Sequence, residues 1–134
     1  MKRAGILVIV VAFGIAGCGG PSDKEKVQTT VRDYFTAFAD SDFGKACDKL
    51  STQTRDELVK AARTKDCTAA LKRGAARADV KRFQTKLRDA RVVSVDIKDK
   101  TATAKVRAIG ATTTLPLAKE GDQWKVQGAV GEGG

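Results

Sequence analysis

The stretch RVVSVDIKDKTATAKVRAIGATTTLPLAKEGDQWKV, Arg91 to Val126, decides the fold. Apolar residues recur in it with a period of two. Val93, Val95 and Ile97 share one face, as do Ala102, Ala104, Val106 and Ala108, then Thr113, Leu115 and Leu117, then Trp124 and Val126. That alternation is the signature of half-buried strands. Asp99-Lys100, Ile109-Gly110 and Glu120-Gly121-Asp122 interrupt it, and each break is short enough to join sequence neighbours. Four strands in an antiparallel meander follow. Pro116 has no N–H for a ladder, which places its strand at an edge or at a bulge.

Upstream of Arg91 the period is helical. Ser22 and Glu25 form a capping box, and Val27, Val31, Tyr34, Phe35 and Phe38 make one apolar stripe, predicting a helix from about Asp23 to Asp40. Ser41-Asp42-Phe43-Gly44 turns the chain into a short helix carrying Ala46, Cys47 and Leu50. A second capping box, Thr54 and Glu57, starts a helix over roughly Arg55 to Arg63 with Leu58, Val59 and Ala62 inward. Helical spacing resumes at Asp66 with Ala70 and Leu71, then Val80, Phe83 and Leu87, with a break expected between Gly74 and Asp79. Helices followed by a sheet define an α+β domain, residues 23–127, in which N-terminal helices pack on one face of a curved four-stranded antiparallel sheet. Residues 128–134 have nothing to bury and are expected to be a disordered tail.

The first residues read as a leader. Lys2 and Arg3 precede an apolar run from Ala4 to Phe13, and small residues then lead to Cys18. A bilayer span needs about 20 apolar residues, more than this glycine-interrupted run supplies. Ile15-Ala16-Gly17-Cys18 resembles the lipobox of bacterial lipoproteins, which implies a signal peptide over 1–17, diacylglycerol on the Cys18 sulfur and cleavage just before it. Localisation would then be extracytoplasmic, anchored by lipid to the cell membrane. Residues 18–22 are then the lipidated cysteine and a short linker, Gly19-Gly20-Pro21-Ser22, whose four extended residues reach about 14 Å.

Removal of residues 1–17 takes Lys2 and Arg3 away, lowering the formal charge from +9 to +7 over the remaining 117 residues, one domain of ordinary size. With the Cys18 sulfur taken up by lipid, Cys47 and Cys67 are left as the only possible cysteine pair. Outside the cytoplasm such a pair is expected to be a structural disulfide. Metal binding is weakly supported, since the chain has no histidine.

The Tyr34 to Phe38 stripe, the cysteine-flanked helical middle and the ending Leu115 to Val126, with its Gly-x-Trp-Lys-Val, resemble small lipoproteins of high-GC Gram-positive bacteria. Those are similar to the nuclear transport factor 2-like, cone-shaped superfamily, in its branch of domains of unknown function. The resemblance implies an apolar pocket between helices and sheet, here lined by Tyr34, Phe38, Phe83 and Trp124, and allows a dimer. Enzymes of that superfamily are isomerases and dehydratases, for which Tyr34 with Asp40 or Asp96 is the nearest analogue in this chain.

No phosphate loop, nucleophile elbow or acidic calcium loop occurs, and no motif calls for a cofactor. The expectation is a non-enzymatic accessory or binding domain for a small apolar ligand or a protein partner. An alternative rests on the densest positive surface. It comprises Lys72, Arg73 and Arg77, followed by Lys81, Arg82, Lys86 and Arg88. In an extracytoplasmic compartment that surface would meet anionic lipid, wall polymer or an acidic envelope protein rather than nucleic acid. The isomerase or dehydratase reading stands third.

Overall fold

A computed structural model describes residues 20–128. The lipobox residues Ile15, Ala16, Gly17 and Cys18, and residues 129–134 of the tail, lie outside the described residues. Five helices, a 3-10 segment and four strands follow one another: α1 Asp23–Ala39, α2 Phe43–Asp48, α3 Thr52–Ala62, α4 Cys67–Ala75, α5 Ala78–Lys81, the 3-10 segment Gln84–Asp89, β1 Arg91–Lys98, β2 Thr101–Ala108, β3 Ala111–Glu120 and β4 Gln123–Val126. The fold is thus α+β, helices first and an antiparallel sheet of order β1-β2-β3-β4 after them. Among the described residues no helix is long and apolar enough to cross a membrane.

The sheet buries one face. Ala102, Ala104 and Val106 of β2, Leu115 and Leu117 of β3, and Trp124 and Val126 of β4 are all buried, while their neighbours along each strand face out. α1 lies against this face and presents Val27, Val31, Tyr34, Phe35 and Phe38 to it and to the other helices. The predicted capping box is present, with the Ser22 hydroxyl accepting from the Glu25 N–H and the Glu25 carboxylate accepting from the Ser22 N–H.

Four local expectations need correction. In β1 the pairing with β2 shifts between Val92 and Ser94, so a bulge at Val93 reverses the alternation ahead of it. Val92, Val95 and Ile97 pack on the core, and Val93 is 61% exposed. Thr113 is exposed as well, although its cross-strand partner Val106 is buried. Pro116 belongs to an internal strand rather than an edge. Its carbonyl accepts from Gln127 N–H at 2.8 Å, so its missing N–H faces the point where the β3–β4 ladder ends at Leu117↔Val126. Finally, α3 starts earlier than read: the Ser51 hydroxyl caps it by accepting from Thr54 N–H, and Thr54 is buried rather than capping.

Both ends of the helical layer are tied down. Val126 N–H donates to Lys49 O at 2.7 Å and Ser51 N–H to Val126 O at 2.9 Å, a parallel bridge that covers the outer edge of β4. The Glu120 carboxylate accepts from both the N–H and the hydroxyl of Thr52, at 3.0 and 3.1 Å, fixing α3 to the end of β3. The Cys47–Cys67 disulfide joins α2 to α4 across α3. The helical break falls between Ala75 and Ala78, inside the expected interval.

Candidate functional site

Where the helices diverge around the break between α4 and α5, their apolar faces do not close on one another. They leave a pocket of about 340 Å³. Tyr34 and Phe38, one turn apart on α1, line it together with Leu58 of α3, Leu71 of α4, and Val80 and Phe83. Ala70, Leu87 and Ile109 add to the apolar lining. The Tyr34 ring is buried and stands edge-on to Phe35 at 5.5 Å, with Phe38 at 6.4 Å. Gly74 of α4 lines the pocket too, and a Cβ added there would meet nothing within 4 Å.

The mouth mixes apolar and charged groups. Phe83 is 37% exposed and Ile109 45% exposed, two large apolar side chains that line the same pocket and reach solvent. Arg77 and Asp79 line the opening and form an ion pair at 3.1 Å, both side chains being largely solvated. The Lys86 ammonium lies 5.9 Å from the centroid of the Phe83 ring.

Three of the four residues expected to line a pocket, Tyr34, Phe38 and Phe83, therefore meet in one place. Trp124 does not join them. Its Nε1–H donates to the Asp23 carboxylate at 3.1 Å and its carbonyl accepts from the Thr30 hydroxyl at 3.1 Å, which fixes it between β4 and the start of α1. It borders a different cleft of about 280 Å³, lined mainly by polar groups such as Lys26, Thr29, Lys49 and Asp122. Lys119 also reaches Asp23 at 3.3 Å. The indole hydrogen bond, followed by the Lys119 charge, holds the Asp23 carboxyl below its ordinary value despite some desolvation.

All seven residues of the predicted basic face are exposed. Three are engaged: Arg73 donates to the Ala62 carbonyl, Arg77 pairs with Asp79 and Arg88 pairs with Asp40. Lys72, Lys81, Arg82 and Lys86 have no ion-pair partner among the described residues. The residues suggested for acid-base chemistry stay apart. Asp40 is six residues beyond Tyr34, about 9 Å along the helix axis, and faces Arg88. Asp96 is exposed, paired across the sheet with Thr103 on the face away from the helices. Among the described residues no group of three histidine, cysteine, aspartate or glutamate side chains could hold a metal ion.

No protein-family model, curated protein or solved structure matches this chain. The pocket is therefore interpreted from its own chemistry. Sequence reading missed Leu58, Leu71, Val80 and Leu87, which it took only as helix stripes, and also Ile109 and Gly74, because both look like punctuation. The signal at Ile109 is its residue type, since the first position of a tight hairpin turn with φ above zero ordinarily takes Asn, Asp or Gly.

Proposed function

We propose that the chain is a membrane-anchored extracytoplasmic lipoprotein, tethered through Cys18, whose domain is a non-enzymatic binding module for a small apolar ligand. The helix-lined pocket carries this reading. Its volume of about 340 Å³ lies within the range of small-molecule sites, its interior is aromatic and aliphatic, and charge is confined to its mouth. The lipobox at Ile15-Ala16-Gly17-Cys18 and the disulfide in the folded domain support an oxidising location outside the cytoplasm. The order of helices and meander supports a nuclear transport factor 2-like assignment of the domain.

Two measurements test the reading. Fluorescence titration with the neutral apolar probe N-phenyl-1-naphthylamine should give saturable binding that Gly74→Leu weakens at least about tenfold, because the new side chain enters open space in the pocket. Unchanged affinity in a folded Gly74→Leu protein would exclude the pocket. Cys18→Ala should move the protein from the membrane fraction to the medium, and retention there would exclude the lipid tether.

A second reading, contact with anionic lipid or wall polymer through the basic face, is favoured by the unpaired Lys72, Lys81, Arg82 and Lys86. It requires salt-sensitive binding to anionic vesicles or polymer, removed by charge reversal of Lys81, Arg82 and Lys86.

A further inference from the structure

The geometry points to a specific ligand class for the pocket: an amphiphile with one aliphatic chain and an anionic head, the chain among Phe38, Leu71 and Phe83 and the head at Lys86 and Arg77. This rests on the pocket being a binding site, and it adds what the mouth selects.

The interior favours a chain. Its lining side chains are aliphatic or aromatic, and its volume of about 340 Å³ is near the lower end of ligand sites, fitting one chain better than two. The mouth favours an anion. Asp79 already offsets Arg77, and of the cations without a described carboxylate partner Lys86 is the one whose ammonium stands over the ring of Phe83, a lining residue of the pocket. Lys81 and Arg82, exposed in the same short segment, add positive potential around it. A cationic head would face repulsion here, and a neutral head would gain nothing from these groups. Arg77 keeps donors free for an anion while paired, because its guanidinium carries five N–H groups and one nitrogen contacts Asp79.

Ile109 supplies an independent observation. It is β-branched, sits in the left-handed region at φ 54° and leaves 45% of its surface in water at the pocket mouth. Such a residue carries backbone strain without the burial that ordinarily offsets it, a combination that concentrates at binding sites. An aliphatic chain entering past Phe83 would cover it.

Isothermal titration at low ionic strength with decanoate and 1-decanol, both below their self-association limits, tests the class. The wild-type protein should bind decanoate about tenfold more tightly than decanol, the preference expected of a few solvated charge contacts. Combining Arg77→Gln, Asp79→Asn and Lys86→Gln removes those charges without leaving a carboxylate unpaired. It should bring the two affinities within about twofold, chiefly by weakening decanoate. Equal wild-type affinities, or a decanoate preference that survives the triple substitution, overturn the head-group assignment and leave the pocket standing. Binding of neither probe overturns the pocket and the inference together. Gly74→Leu should weaken both probes alike, and a Gly74→Leu protein that loses only decanoate would place the head, not the chain, at α4 and overturn the orientation.

Discussion

Asp23 accepts from the Trp124 indole and from Lys119 while opening α1, so one carboxylate joins the first turn of the main helix to the last two strands. Its folded pKa is below the ordinary 3.8. The stability it contributes is therefore complete above that value and is lost as pH falls through the lower, folded one. Asp23→Asn should lower the melting temperature at neutral pH, and thermal scans of the two proteins should converge as the pH drops below 3.8. A constant gap at all pH values would show that the carboxylate charge does not matter. Ile109 behaves oppositely. Replacing a β-branched residue at φ 54° by Asn relieves left-handed strain of roughly 1–2 kcal/mol, so Ile109→Asn should raise stability by about 1 kcal/mol in urea denaturation. Because Ile109 also borders the pocket, the same variant should bind decanoate more weakly. Gain in one and loss in the other would mark a residue kept for its surface rather than for the fold.

At the level of elements, β1 shows the effect of one extra residue in a ladder. With Val93 bulged out and 61% exposed, Val93→Ser should change stability by no more than about 0.5 kcal/mol. Leu117→Ala, at a side chain only 1% exposed, should cost about 2–5 kcal/mol by chemical denaturation. A large loss at Val93 would contradict the bulge. The same strand explains what the sequence makes legible. Period-two patterning located all four strands and all three turns, because the meander needs only local pairing and each buried face is apolar. It misassigned Val93 since a bulge has no signature in Val92-Val93 beyond two adjacent valines, either of which could face in. α1 was readable to within a residue through Ser22, Glu25 and its stripe. The start of α3 was not, because Ser51, Thr52 and Thr54 can each cap a helix, and Glu120, distant in sequence, decides between them by binding Thr52. The cone-shaped resemblance puts Trp124 in the pocket. What removes it is its N–H, which a buried indole must satisfy and which Asp23 receives.

For the molecule as a whole, the pocket depends on α3, which has a shallow hold on the core, and on α4, which reaches the core through Leu71 and Ala75. Thr54 is the one buried residue of α3, and α4 packs chiefly against α2 and α3 rather than against the sheet. The Cys47–Cys67 disulfide is the covalent connection between α4 and α2, whose Ala46 and Cys47 are buried in the core. Closing 20 residues limits the unfolded chain, so Cys47→Ser with Cys67→Ser should reduce stability by about 3 kcal/mol. The loss should also be visible in the native state. Segments with little buried apolar surface open at lower free energy than the core, and the disulfide adds to the hold that Leu71 and Ala75 give this one. Hydrogen exchange in the double variant should accelerate most across residues 52–75, while β2 and β3, centred on Ala104, Val106 and Leu117, keep slow exchange relative to the variant's global stability. Leu58, Leu71 and Gly74 line the pocket from that segment, so binding of N-phenyl-1-naphthylamine should weaken in parallel. If exchange accelerates uniformly instead, α3 and α4 open only with the whole domain, and the disulfide stabilises a single cooperative unit rather than the wall of the pocket.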